Sequence, residues 1–141
     1  RNEAKRALKA KRLAAGLCAE CGKPALPSMS RSSYPVCEVC YLKRVALKRL
    51  GSKSYWKILR EKLIAQNFRC VYSGESIELG VNDSVDHIHP VSLFPERKND
   101  PANVQWVTRE VNDMKRSRAA WQFLHLVCQI HDYQAKLTTA P

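Results

Sequence analysis

Four cysteines in the first third of the chain, spaced as two CxxC pairs, constrain the fold more than any other feature. Cys18 and Cys21 bound the first pair; after fifteen intervening residues Cys37 and Cys40 bound the second. Thiolates at i and i+3 reach one metal ion from a tight turn, and Zn2+ takes four such ligands tetrahedrally. Two knuckles of this kind close one site and tie a loop rich in proline (Pro24, Pro27, Pro35) to the segment that follows Cys37. The stretch holds too few apolar residues to fold readily without that bond. Four thiolates leave no open coordination position, so the zinc is expected to be structural. A redox reading fits poorly, because neither pair follows a βαβ pattern. Cys70 and Cys128 stand alone and read as small buried residues.

Charge is divided as unevenly as cysteine. The 141 residues carry a net charge of +11. Residues 1–60 hold fifteen Lys and Arg against three acids, whereas 61–141 hold nine against ten. A one-sided basic block draws polyanions, with DNA, RNA and acidic membrane surfaces all eligible. No apolar run reaches eighteen residues, so no membrane span is expected. The N-terminus lacks a signal-peptide pattern, and an intracellular location is the expectation.

Residue spacing gives a coarse map. Helix formers fill 2–15 and stop at Gly16, on a helix with many cations and few apolar groups. Val39, Leu42, Val45, Ala46 and Leu50 recur at helical spacing, which predicts a helix from Glu38 that ends at Gly51. Its remaining surface carries Lys43, Arg44, Lys48 and Arg49, read as phosphate contacts. Ser54 is the expected cap of a helix to about Asn67, with Trp56, Leu59, Leu63 and Ile64 as its stripe. Residues 70–84 look like strand and turn, 85–90 and 104–108 like two strands, and 109–115 like a helix. Residues 117–136 predict a last helix, apolar on more than one side, that packs on two surfaces within the chain or in a partner. Tyr72, Ile77, Trp106 and an apolar face of Trp121, Leu124 and Val127 are the expected core of the second half. His125 and His131, six apart, miss the spacing of a shared ligand face.

Two resemblances follow from these residues. Residues 17–50, with a second knuckle running straight into a cationic helix, are similar to zinc-ribbon or treble-clef modules that present a helix to DNA. Further on come VDHIHP at 85–90, NVQWVT at 103–108 and NDMK at 112–115. The order Asp-His, loop, Asn, strand, Asn on a helix, Lys one turn later resembles the HNH nuclease family over about residues 70–117. That resemblance implies a ββα-metal core, two short strands and a helix around one divalent cation. It also implies that Asn103 holds the intervening loop and so orients His87. The chemistry of phosphodiester hydrolysis agrees: it needs a positioned water, a base for its proton and positive charge for the departing oxygen. Asp86 and Asn112 form a hard, oxygen-rich ligand pair suited to Mg2+ or Mn2+. His87 is the expected general base, since imidazole titrates near working pH. Lys115, three residues after Asn112, is expected to reach phosphate oxygens, and Arg116 to do likewise. His89 shares a strand face with His87 and reads as a third ligand or a phosphate contact, or equally as a group with a structural or solvent role.

The expected architecture is α+β, a small ββα-metal core with flanking helices and an N-terminal four-cysteine zinc module. Residues 1–52 would grip DNA and 53–141 would form the nuclease domain. The expected function is a site-specific endonuclease on double-stranded DNA, of homing or mobile-element type. The alternatives are a restriction-type or nicking enzyme and a zinc-containing regulator with an inactive HNH fold. An RNA nuclease is disfavoured by the few exposed aromatics available for stacking bases. One site cuts one strand, so a double-strand break requires sequential nicks or a homodimer, for which the last helix is the candidate surface.

Overall fold

The structure is a computed structural model and describes residues 2–138, within which lie five α-helices and a two-stranded antiparallel sheet. The mixed α+β class is as the sequence suggests. Helix α1 (Asn2–Ala14) buries none of its residues. It docks through Arg12, whose guanidinium donates to the Glu20 carbonyl at 2.9 Å, and through Lys9, whose ammonium sits over the Tyr34 ring. Helix α2 (Glu38–Leu50) starts at the second cysteine knuckle, with Cys37 as its N-cap, and closes through the Gly51 N–H on the Leu47 carbonyl.

The burial of Leu42, Ala46 and Leu50 makes α2 part of the main core, beside Leu59 and Leu63 of α3 (Trp56–Ala65) and Val85, Val104 and Trp106 of the sheet. The first turn of α2 also belongs to a smaller cluster of Cys18, Val36, Cys37 and Cys40. One helix thus joins the cysteine module to everything after residue 52. The Tyr41 hydroxyl strengthens the joint by donating to the Asp83 carboxylate, 2.9 Å from each oxygen.

Strands β1 (Asp83–His87) and β2 (Val104–Thr108) pair with Val85 opposite Trp106 and Asp86 opposite Gln105. Alternation along each strand sends Val85 and Trp106 toward α2 and α3, and sends Ser84, Asp86 and Gln105 to the other face. There α4 (Arg109–Lys115) packs, begun by Thr108, whose hydroxyl accepts from the Val111 N–H. Trp106 is the keystone: it is fully buried, and its indole N–H donates to the Leu59 carbonyl at 2.8 Å. Gln66 pairs with the Trp106 backbone on both sides, accepting from its N–H and donating to its carbonyl. Trp106→Ala is expected to cost about 3–5 kcal/mol in urea unfolding; a loss under ~1 kcal/mol would contradict this role.

Several boundaries differ from expectation. Ser52, not Ser54, supplies the cap before α3, accepting from the Ser54 N–H at the head of a 3-10 turn over Lys53–Tyr55. Helix α3 ends at Ala65, because Asn67 and Phe68 both take left-handed backbone conformations. Of its stripe, Ile64 is exposed. The first strand starts two residues early and stops at His87. The last helix, α5 (Ala120–Thr138), is the largest departure. Only Phe123 is buried, edge-on to Tyr72 at 5.4 Å, while Trp121, Leu124 and Val127 face outward. Cys128 is exposed too, whereas Cys70 is buried as expected.

Two turns share one backbone design. In the first, the Cys18 N–H bonds the Lys23 carbonyl and the Gly22 N–H returns to the Cys18 carbonyl. In the second, the Cys70 N–H bonds the Glu75 carbonyl and the Gly74 N–H returns to the Cys70 carbonyl. Gly22 and Gly74 hold the matching left-handed position, φ 77° and 71°, where a Cβ would be strained. The first turn carries Cys18 and Cys21; the second carries Cys70 and Ser73.

Candidate active site and metal cluster

The sulfurs of Cys18, Cys21, Cys37 and Cys40 all lie within 4.8 Å of one another. Tetrahedral ligation at ~2.3 Å sets sulfurs ~3.8 Å apart, so the cluster is one that could hold a zinc ion. Metal-free, four thiols this close cannot ionise together. Burial pushes Cys37 and Cys40 up, and for Cys40 the neighbouring sulfurs add to it. Burial also pushes up on Cys18, but hydrogen bonds from the backbone around Cys37 and Cys21 outweigh it and hold that thiol at about 6. A divalent cation resolves this conflict by taking all four as thiolates.

A second centre lies along β1. Asp86, His87 and Asn112 line one cleft of about 370 Å³ together with Lys48, Arg49, Lys98 and Arg116. Helix α2 brings Lys48 and Arg49, the loop after β1 brings Lys98, and Arg116 follows the end of α4. Arg116 holds a positive φ of 51°, a conformation that stops α4 beside the cleft. None of these four cations forms an ion pair among the described residues.

His87 is half-buried, and its Nε2 lies 2.9 Å from the Lys98 carbonyl. A carbonyl only accepts, so Nε2 carries the proton and Nδ1 of the neutral ring keeps a lone pair. Asn103 organises the loop that offers this carbonyl. Fully buried, it accepts from the His89 N–H at 2.8 Å and donates to the carbonyls of His89 and Arg97 at 3.0 and 3.3 Å. Arg97 immediately precedes Lys98. Asn103 therefore does not line the cleft; it holds the loop whose Lys98 carbonyl meets His87.

Lys115 departs from expectation. Its side chain is 1% exposed, and its ammonium donates to Asp86 Oδ1 at 3.0 Å and to the His87 carbonyl at 3.1 Å. The reason is helical geometry: the face of α4 that carries Val111 and Asn112 lies against the sheet, and Lys115 falls on that face. In this arrangement it reaches no external phosphate. Gln105, across the strand pair, donates to the other Asp86 oxygen at 3.0 Å and to the Tyr72 hydroxyl at 2.9 Å. Burial, with the Asp86 charge nearby, pushes the Tyr72 phenol up, so it stays neutral. Asn112 donates to the Ser84 hydroxyl at 3.0 Å, and no described hydrogen bond occupies its side-chain oxygen.

His89 turns away from the cleft. Arg97 Nη1 lies 2.7 Å from its Nδ1, and the Phe94 ring stands edge-on at 5.3 Å. A guanidinium only donates, so Nδ1 is an acceptor, and the 3.1 Å approach of the Asn103 oxygen to the same atom is no hydrogen bond. Of the readings left open for His89, the structural one fits its contacts with Arg97 and Phe94. Among the helix cations, Arg44 is engaged by Glu20 at 2.6 Å and stacks on Tyr34, and Lys43 lines neither this cleft nor its neighbour. That neighbouring cleft shares Lys48 and Arg49 and adds Arg44 and Arg109. Sequence reasoning missed Lys98, Gln105 and Arg109. Only Gln105 left a signal, as a polar residue inside an apolar strand.

No protein-family model matches the chain, and no curated protein matches it.

Proposed function

We propose that the chain is a metal-dependent nuclease of the HNH type that hydrolyses phosphodiester bonds in double-stranded DNA. One observation carries the reading. His87, half-buried with its Nδ1 free of any partner, lines one cleft with Asp86 and Asn112, and the four cations around that cleft have no acid partner among the described residues. Asp86 and Asn112 would hold Mg2+ or Mn2+. The donor set fits, since both ligands are hard oxygens and each Asp86 oxygen accepts one hydrogen bond among the described residues, which leaves it a lone pair. When bound, such an ion supplies positive charge to the scissile phosphate and to the departing oxygen. His87 takes the proton of the attacking water at Nδ1, while the Lys98 carbonyl keeps the ring in the required tautomer. Lys48, Arg49, Lys98 and Arg116 hold the flanking phosphates. The zinc-bound knuckles fix the start of α2 and so position its cations along the cleft. A second copy docked through the exposed face of α5 would supply the second cut.

Supercoiled plasmid incubated with Mg2+ or Mn2+ tests the reading. Conversion to open-circle or linear DNA, abolished by chelating the added metal, is the expected result. One observation favours a DNA-binding regulator instead: the Asp86 carboxylate is already paired with a buried ammonium. Folded, zinc-loaded protein that retards DNA but never cuts it with either metal would decide for that alternative.

A further inference from the structure

We infer that Lys115 serves as an internal counter-cation of the Asp86 site, one that a divalent ion must displace or share the carboxylate with. Lys115 thereby keeps the metal-free site folded and sets a weak affinity for the metal. The inference rests on the nuclease reading above.

Lys115 and Asp86 are 1% and 4% exposed, and Lys115 is the one fully buried cation among the described residues. A buried carboxylate without a counter-charge is strongly disfavoured. The ammonium meets that need from 3.0 Å, and its second bond, to the His87 carbonyl, ties the pair to the backbone of the proposed base. The other Asp86 oxygen receives only the neutral Gln105 amide. Charge balance at the carboxylate is therefore complete before any metal arrives. A divalent cation taken by Asp86 enters beside a positive group, in a setting where water screens poorly. Without Lys115 the same carboxylate would be buried, uncompensated and far more avid for a cation.

Full-length zinc-loaded protein, wild type and Lys115→Met, titrated with Mn2+ in a calorimeter tests this. The variant is expected to bind Mn2+ roughly tenfold or more tightly than wild type. Its melting temperature without Mn2+ should fall, and added Mn2+ should raise it more than in wild type. Equal or weaker Mn2+ binding by the folded variant overturns the inference. Amine acetylation of the wild type, read by mass spectrometry, covers the case in which Lys115→Met does not fold. Lys115 is expected to be protected without metal and to gain reactivity under saturating Mg2+; unchanged protection also overturns the inference. Plasmid nicking by wild type scores the nuclease reading separately. An active nuclease whose Lys115→Met variant binds Mn2+ no better sinks only the Lys115 role, whereas absence of Mn2+ binding in both proteins sinks both.

Discussion

Replacement of His87 by alanine is expected to slow DNA cleavage by about 10²–10⁴-fold, the range a positioned general base contributes, while duplex binding changes little. The separation follows from the hydrogen bonding. Nε2 is occupied by the Lys98 carbonyl, so Nδ1 is the ring's one available basic atom. The cations that would hold phosphates, Lys48, Arg49, Lys98 and Arg116, form no side-chain hydrogen bond with the imidazole among the described residues, so their charges are expected to stay in the cleft when it is removed. Single-turnover cleavage at saturating protein gives the chemical rate, and a gel-shift titration gives the affinity. Undiminished turnover would refute the assignment of the base. Parallel loss of affinity and rate would show instead that the imidazole props the loop.

The second large effect concerns the cysteine cluster. Cys40→Ser, or prolonged exposure to a zinc chelator, is expected to unfold the segment from Leu17 to the start of α2 and to abolish DNA binding. Structural zinc sites contribute an apparent ~10–16 kcal/mol, as much as the whole stability of an ordinary domain. The apolar cluster around these cysteines is small, with Val36 its one fully buried aliphatic residue. Damage would also travel, because α2 runs from Cys37 to the wall of the cleft. Circular dichroism should show loss of helix, and metal analysis one zinc per chain before treatment. Retained helix signal and DNA affinity in the metal-stripped protein would overturn the structural role. Since Cys37 and Cys40 are held protonated when metal-free, zinc binding must displace their protons. Affinity for zinc is therefore expected to fall as pH falls.

Among the described residues, no helix is long and apolar enough to cross a membrane, in keeping with the absence of apolar runs. The rest of the chain was unevenly legible. Helix α2, strand β2 and helix α4 fall within the expected bounds, because their apolar spacing is set by the element itself. Strand β1 begins at Asp83, an acid that local pattern excludes from a buried strand. Its carboxylate is satisfied by Tyr41, forty-two residues away, and by the Gly80 N–H. Lys115 escaped for the same reason, as its partner Asp86 lies on another element. Spacing put Asn112 and Lys115 on one helix face but could not say whether that face met solvent or the sheet. Helix α5 exposes the opposite limit. Trp121, Leu124 and Val127 have the apolar character of a core, yet only Phe123 finds one in this chain. The residues brought to the cleft by distant segments, Lys98 above all, carry no local mark. Their role depends on where a loop returns, which long-range pairing decides.

The paired turns at Cys18 and Cys70 separate two jobs that a knuckle is often assumed to do at once. At Cys70 the same backbone loop closes with a serine, Ser73, where its counterpart has a second cysteine. There the loop's shape is thus set by amide bonds and a glycine alone. At Cys18 a zinc ion would add attachment, joining the turn to the start of α2 in a segment with too small an apolar cluster to hold the two together.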